Sequence, residues 1–124
     1  MAMAKEAIAL IEEGVATPAE VDRIVKTSIG FRLGAFGPIE ISDMAGIDTY
    51  KSIYEYLDEK LPGDRFKPPK ILTDLALEGR LGLKNLKGFY EYDSDSVDKE
   101  HRKRDRMLYR RLEMYRKELE SEKD

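Results

Sequence analysis

Apolar residues recur three and four positions apart along most of the chain, which is the spacing of one face of an α-helix. This pattern predicts helices over residues 4–13, 18–28, 38–45, 49–60 and 69–78. No stretch alternates apolar and polar residues for long enough to indicate a β-strand. The sequence therefore predicts an all-α fold, a compact bundle of about five helices joined to a further charged helix at the C-terminus.

Several helix ends carry residues that suit a helix boundary. Thr17 and Glu20 have the spacing of a capping box, and the proline between them suits the first helical position. Pro38 begins a short helix in the same way, and Gly46 is expected to end it with a positive φ angle. Asp48 is expected to cap the helix that follows.

Two segments contain too much glycine for a regular helix. Residues 30–37 include three glycines and two phenylalanines, which predicts an ordered loop pressed onto an apolar surface. Residues 80–92 include two more glycines and end in an aromatic cluster. We expect this second segment to lie across the helices in an ordered conformation.

The last quarter of the chain is densely charged, with both signs mixed. Four apolar residues follow one another at alternating spacings of four and three, namely Leu108, Leu112, Tyr115 and Leu119. This narrow stripe predicts a long helix that is either docked against the rest of the chain or paired with its copy in another subunit. The four residues are therefore candidates for oligomerisation.

The composition limits the classes of function. A chain of 124 residues with 41% hydrophobic content can form one domain, but not separate cofactor and substrate domains. The net charge of −3 gives no field that would attract nucleic acid or an anionic membrane. There is no cysteine, and no apolar run is long enough to span a bilayer. We therefore expect a cytoplasmic protein that binds neither nucleic acid nor membrane.

Few side chains are suited to catalysis. The single histidine, His101, lies in the charged tail without a cysteine or second histidine to complete a zinc site or a nucleophile pair. Glu40 and Asp43 could form a pair of catalytic carboxylates, but favourable charges near a helix N-terminus explain them more simply. The glycines form neither a dinucleotide fingerprint nor a P-loop. We predict no catalytic, cofactor-binding or metal-binding residue in this chain.

A series of short motifs follows one another between residues 5 and 92. They are Glu6-Ala7, Leu10 to Thr17, Asp22, Gly30-Phe31, Gly37 to Glu40, Asp43, Gly46 to Thr49, Pro68-Pro69, Gly79 to Gly82 and Lys87 to Tyr92. This order resembles the C-terminal domain of the 3-hydroxyacyl-CoA dehydrogenases. The resemblance places that domain at residues 5–92 and a charged helix or linker at residues 93–124. The family usually has Thr-Gly where this chain has Asn85-Leu86.

The resemblance implies an all-α domain of the kind shared with the C-terminal domains of 6-phosphogluconate dehydrogenases. In full-length relatives it follows an NAD-binding Rossmann domain, forms much of the dimer contact and closes one side of the acyl-CoA cleft. The full enzyme oxidises the 3-hydroxyl of an L-3-hydroxyacyl-CoA in fatty-acid β-oxidation, with its acid/base pair on the Rossmann side. NAD and acyl-CoA thus belong to the full-length enzyme, and this chain alone is expected to be inactive.

On this interpretation the expected partners are a second copy of the chain and a Rossmann domain in the same or a separate chain. The residues expected to line the acyl-CoA cleft are Phe31, Phe36, Pro38 and Met44. An alternative interpretation is a stand-alone helical protein that kept the fold for self-association. Such a protein would use its charged tail helix to bind a partner.

Overall fold

The computed structural model describes residues 1–61 and 63–121. The helices are α1 (Ala2–Glu12), α2 (Pro18–Thr27), α3 (Ile29–Leu33), α4 (Pro38–Ala45), α5 (Ile47–Lys60), α6 (Lys70–Leu77) and α7 (Ser96–Ser121). Two 3-10 turns lie at Asp64–Phe66 and Leu83–Asn85. Within the described ranges, strand-type pairing is limited to isolated bridges that join Lys87 to Gly82 and to Glu91. The predicted all-α fold is confirmed.

Contacts between residues divide the chain into two units. The first comprises Met1–Ala35 with Met107–Asp124, and the second comprises Phe36–Arg106. The division predicted from the sequence, into residues 5–92 and 93–124, stays a prediction. The last three residues of the predicted tail lie outside the described residues.

In the first unit, α2 begins with the predicted capping box. The Thr17 hydroxyl accepts the Glu20 N–H at 3.3 Å, and the Glu20 carboxylate accepts the Thr17 N–H at 2.8 Å. These two bonds satisfy donors that the start of a helix otherwise leaves unpaired. The hydrogen bonds from the Thr17 backbone and side chain, together with the nearby Arg23 charge, hold the pKa of Glu20 below its ordinary value.

The prediction of a loop over residues 30–37 is wrong for the first half of that segment, because Ile29–Leu33 form helix α3. The chain bends sharply at Ser28, where φ is −118° and ψ is −98°. A Cβ atom on Gly30 would lie 2.8 Å from the Val25 carbonyl oxygen. Gly30 lies inside α3 and does not end it. Its missing side chain lets α3 pack directly against the backbone of α2.

The second unit holds most of the buried apolar residues. Those with no more than 4% of their surface exposed are Phe36, Ile47, Leu72 and Leu83. They come from the chain before α4, from α5, from α6 and from the second 3-10 turn. Elements far apart in sequence thus share one apolar core.

Helix α4 starts and ends as predicted, but the start of α5 differs. Pro38 is the first residue of α4, and Gly46 ends the helix with φ of +104°. Helix α5 begins at Ile47, so Asp48 already lies in its first turn and makes no cap, contrary to the prediction. Its carboxylate binds the Lys84 ammonium, and this interaction holds the pKa of Asp48 below its ordinary value.

Candidate functional site

The most organised polar site of the second unit is centred on Asp43, in the last turn of α4. Its side chain is completely buried. Oδ1 accepts the Phe89 N–H at 2.9 Å, while Oδ2 accepts the Tyr90 N–H at 2.9 Å and the Tyr92 hydroxyl at 3.0 Å. We call these four residues the Asp43 network and residues 80–92 the C-terminal loop. The network ties the C-terminal loop to α4 through one carboxylate.

The role predicted for Asp43 is therefore wrong. Helix α4 ends at Ala45, so Asp43 lies near the negative end of the helix dipole, where a carboxylate is not favoured. Three hydrogen-bond donors from the C-terminal loop stabilise the charge instead. The prediction for Glu40 is confirmed, since its carboxylate accepts the Gly37 N–H at 2.8 Å at the start of α4.

Two glycines of the C-terminal loop make room for Asp43. A Cβ atom on Gly88 would lie 2.2 Å from Asp43 Oδ1, and one on Gly82 would lie 2.2 Å from the Asp43 carbonyl oxygen. Both distances are far below van der Waals contact. Composition predicted only that these glycines prevent a regular helix, whereas in the structure they are the surface on which α4 rests.

Further bonds close the C-terminal loop on itself. Gly82 and Lys87 exchange two backbone hydrogen bonds, of 2.7 and 3.2 Å. Arg80 donates through Nε to the Gly88 carbonyl at 2.9 Å and pairs with Glu91 at 3.2 Å. The loop is therefore ordered, as predicted, although it contains no regular helix.

The Asn85-Leu86 pair, at which the chain departs from the family motif, forms a tight turn. Leu86 has φ of +68°, the only positive φ of a non-glycine residue in the described part of the chain. This conformation costs a leucine roughly 1–2 kcal/mol. The Asn85 amide supports the turn, since its oxygen accepts the Leu81 N–H at 3.1 Å and its nitrogen donates to the Gly79 carbonyl at 2.5 Å.

The pH dependence of the free energy of unfolding tests the Asp43 network, because Tyr92 belongs to it. Burial, the hydrogen bond to Asp43 and the negative charge of Asp43 raise the pKa of Tyr92 well above the ordinary 10.0. Because the folded chain keeps this proton longer than the unfolded chain, the stabilisation is complete below pH 10 and is lost as the pH rises further. We expect Tyr92→Phe to lower the free energy of unfolding by about 1–2 kcal/mol at neutral pH.

The same variant should also lose less stability than the native chain between neutral pH and about pH 11. Urea unfolding at the two pH values measures both effects. Tyr109→Phe is the matched control, because Tyr109 is 69% exposed. An equal loss at high pH in all three proteins would contradict the role of Tyr92.

A pocket of about 340 Å³ opens beside the network within the second unit. Its walls include Met44, Leu83, Tyr90 and Tyr92, with Glu100 and Lys103 among the charged residues around it. The Asp43 carboxylate is not free to act as a base there, because it is buried and already accepts three hydrogen bonds. The pocket therefore combines an apolar and aromatic wall with charged residues, most of which are acidic.

The four residues expected to line a cleft occupy different places. Met44 lines the pocket just described, Phe36 is 4% exposed in the core, and Pro38 is exposed at the start of α4. Phe31 belongs to the first unit, where it lines an open groove of about 810 Å³ with residues of α2 and α7. No described pocket contains more than one of the four, and their assignment to an acyl-CoA cleft stays a prediction.

The four candidate oligomerisation residues lie on α7. Leu108, Leu112 and Tyr115 are half-buried within the single chain, while Leu119 is 41% exposed. Arg111, on the same helix, donates to the Gly34 carbonyl at 2.5 Å and so ties this part of α7 to the end of α3. The half-burial favours docking of the stripe within the chain, and its role in self-association stays a prediction.

Across residues 1–61 and 63–121, no group of three histidine, cysteine, aspartate or glutamate side chains is placed to hold a metal ion. His101 lies half-buried on α7. None of the helices in these ranges is both long enough and apolar enough to cross a membrane. Sequence reasoning named Asp43 but missed its role as a buried acceptor, because its three donors lie 46 to 49 positions away along the chain.

A family model described as the C-terminal domain of 3-hydroxyacyl-CoA dehydrogenase matches residues 1–92. A probable 3-hydroxybutyryl-CoA dehydrogenase of Deinococcus radiodurans is 37% identical over 92 residues, which are 74% of this chain and 32% of that protein. A 5-formyl-3-hydroxy-2-methylpyridine 4-carboxylate 5-dehydrogenase of Mesorhizobium japonicum is 31% identical over 96 residues, which are 77% of this chain and 31% of that protein.

Among solved structures, a 3-hydroxyacyl-CoA dehydrogenase of Archaeoglobus fulgidus is similar with a TM-score of 0.76 and 31% sequence identity. The similarity covers 87% of this chain and 38% of that one. The chain spans about a third of the length of the curated relatives that it matches.

Proposed function

Because this chain belongs to the family of C-terminal domains of the 3-hydroxyacyl-CoA dehydrogenases, we propose that it is the non-catalytic helical part of such an enzyme. The complete enzyme oxidises a 3-hydroxyacyl-CoA with NAD in fatty-acid β-oxidation in the cytoplasm. The chain contributes contacts of a homodimer and one wall of the acyl-CoA cleft. A Rossmann domain, in the same or a separate chain, binds NAD and carries the catalytic base.

The observation that carries this proposal is the extent of the match. Residues 1–92 match the family model, yet the aligned part is only 32% of the D. radiodurans relative. Hydride transfer to NAD requires a dinucleotide site and a group that accepts a proton. The remaining two thirds of such a relative have room for both.

The residues of this chain do not fit NAD. A dinucleotide site needs a glycine-rich turn between a strand and a helix, so that backbone N–H groups face the pyrophosphate. The closely packed glycines of the C-terminal loop, Gly82 and Gly88, face Asp43 instead. A carboxylate at that position would repel a phosphate group. NAD therefore belongs to the partner domain in this proposal.

The names of the relatives bear on the substrate. The D. radiodurans and A. fulgidus proteins are named for hydroxyacyl-CoA substrates, whereas the M. japonicum protein is named for a pyridine carboxylate. Two of these three names support a 3-hydroxyacyl-CoA. For either substrate class this chain has the same role, since it forms one wall of the substrate cleft while the Rossmann domain binds the cofactor.

A chimeric enzyme tests the proposal. The matched C-terminal part of the D. radiodurans relative is replaced by residues 1–92 of this chain, and NADH oxidation with acetoacetyl-CoA is followed by absorbance. We expect turnover by the chimera, but none by the isolated chain or by the relative truncated before its matched part. Turnover by the pure isolated chain would contradict a non-catalytic role, and an inactive but folded chimera would contradict the role as a cleft wall.

A second candidate is a stand-alone self-association or partner-binding protein. It is favoured by α7, which begins at Ser96, beyond the 92 residues that match the family model. On this alternative, deletion of residues 93–124 abolishes binding of a partner while the rest of the chain stays folded. Activity of the chimera without α7 would favour the dehydrogenase role instead.

A further inference from the structure

The first half of α7 carries four basic residues on one face. Lys99, Arg102, Lys103 and Arg106 occupy positions i, i+3, i+4 and i+7, which lie side by side on the surface of a helix. Lys99, Arg102 and Arg106 are exposed, and none of these three forms an ion pair with another residue that the structure describes. We call the four residues the cationic face.

The charges of the cationic face repel one another. Each of its residues has two others of the same charge three or four positions away, a spacing at which like charges destabilise a helix. The acidic residues nearby, Asp98, Glu100 and Asp105, lie at the edges of the face. Glu100 pairs with Lys103 at 3.4 Å, and Asp105 pairs with Arg104 at 2.8 Å. An anion that lay along the face would relieve the repulsion.

The cationic face adjoins the 340 Å³ pocket beside the Asp43 network. Lys103 belongs to both, since it lines the pocket together with Met44, Leu83 and Tyr90. The pocket and the four basic residues all lie within the second unit. Most of the charged residues around the pocket are acidic and repel a phosphate group. The surface therefore suits a ligand that has an uncharged part in the pocket and phosphate groups on α7.

We propose that the cationic face binds the phosphate groups of an acyl-CoA, and that the uncharged pantetheine arm continues along the pocket. An acyl-CoA carries all of its phosphates at its nucleotide end, whereas the pantetheine arm and a simple acyl group are neutral. Arginine binds phosphate oxygens through paired hydrogen bonds, and lysine adds a point charge. Acyl-CoA is thus divided in the same way as the surface.

This inference rests on the proposed function and adds a phosphate subsite to it. Helix α7 begins at Ser96, beyond the residues 1–92 that match the family model. The subsite is therefore a feature of the part of this chain that follows the matched domain.

The dimensions and charge favour one small ligand over a nucleic acid or a membrane. The seven positions from Lys99 to Arg106 correspond to about 10 Å of helix, which suits the phosphates of a single nucleotide. The net charge of the whole chain is −3, which opposes the approach of a long polyanion or an anionic bilayer.

Calorimetric titration of the full chain with acetoacetyl-CoA tests the subsite. We expect binding that weakens as salt is added, and a dissociation constant at least tenfold higher in the double variant Lys99→Glu, Arg106→Glu. The matched control is Arg116→Glu, Lys117→Glu, which makes the same change of charge at exposed positions near the other end of α7. Its dissociation constant should change less than about twofold, and circular dichroism checks that both variants are folded. No binding by the native chain, or equal weakening by the two double variants, would overturn the inference.

A second series of ligands identifies the group that is bound. Acetoacetyl-pantetheine lacks the nucleotide phosphates, so we expect it to bind the native chain at least tenfold more weakly than acetoacetyl-CoA does. NAD has a diphosphate but no pantetheine arm, and it should be similarly weak. NAD that bound as tightly as acetoacetyl-CoA would overturn the assignment to acyl-CoA. Tighter binding of a DNA duplex or of phosphatidylserine vesicles would also overturn it.

The outcomes separate this inference from the proposed function. The chimeric enzyme contains residues 1–92 only, so its activity tests the cleft-wall role without the cationic face. An active chimera together with a full chain that does not bind acetoacetyl-CoA would contradict the phosphate subsite alone. An inactive, folded chimera together with binding that Lys99→Glu, Arg106→Glu weakens would contradict the cleft-wall role and support the subsite.

Discussion

Asp43→Asn is expected to lower the free energy of unfolding by about 3 kcal/mol, although it changes the shape of the side chain very little. The carboxylate accepts bonds at both oxygens, from Phe89 on one side and from Tyr90 and Tyr92 on the other. An asparagine has only one oxygen. Its NH₂ group would therefore face a backbone N–H, leaving a buried donor unpaired and removing the charge that strengthens the remaining bonds.

Urea unfolding at neutral pH measures this loss. Asp74→Asn is the matched control, because Asp74 lies on α6 with its side chain 45% exposed and pairs with Lys70 of the same helix. Exposed pairs of this kind contribute less than about 1 kcal/mol. If both variants lost the same small amount, the Asp43 network would not hold the C-terminal loop to α4.

Gly82→Ala is expected to lower the free energy of unfolding by about 3 kcal/mol or more. The new Cβ atom would lie 2.2 Å from the carbonyl oxygen of Asp43, a backbone atom that cannot move unless α4 moves. Gly82 also has φ of +96°, a conformation that an alanine adopts only with strain. The steric contact and the backbone strain both destabilise the folded state of this variant.

Alanine substitutions at two further glycines separate the effect of the steric contact from the effect of the backbone strain. Gly79 has φ of +71°, but a Cβ atom there would meet nothing within 4 Å, so Gly79→Ala should show only the strain, of roughly 1 kcal/mol. Gly88 has no such φ angle, but a Cβ atom there would lie 2.2 Å from Asp43 Oδ1, so Gly88→Ala should show only the contact. A Gly82→Ala loss no larger than that of Gly79→Ala would contradict the close approach of the loop to α4.

The two substitutions, Asp43→Asn and Gly82→Ala, act on the same junction between α4 and the C-terminal loop. Met44 of α4 and Tyr90 of the loop both line the pocket beside it. Under the proposed function, the junction would keep these two side chains at a fixed separation in the cleft wall. Asp43 would then be a positioning residue, and the catalytic chemistry would belong to the Rossmann domain.

The features predicted correctly from the sequence depend on residues close together in the chain. The Thr17 and Glu20 capping box, the start of α4 at Pro38 and the positive φ of Gly46 each involve a few neighbouring residues. Their geometry follows from backbone sterics and from donors that a helix end leaves unpaired. The family resemblance and the all-α fold were also evident from the sequence.

The wrong predictions concern residues whose partners are distant in the chain or whose environment depends on packing. Asp43 looked like a helix-terminus charge because its donors lie 46 to 49 positions away. Gly30 looked like part of a loop because the close approach of α3 to α2 cannot be deduced from composition. Asp48 looked like a helix cap because its neighbours in the sequence do not reveal its partner. That partner, Lys84, lies 36 positions away.

The sequence by itself determined the helical class, most helix boundaries and the domain family, because helix periodicity and capping are local properties of the chain. Only the tertiary structure decided which carboxylate is buried, which glycines serve as contact surfaces and which apolar stripe stays exposed. A stripe has the same periodicity whether it is covered or not, as the exposed stripe of Ile8 and Ile11 on α1 and the half-buried stripe of α7 demonstrate. Burial depends on the arrangement of distant elements, and local periodicity does not encode that arrangement.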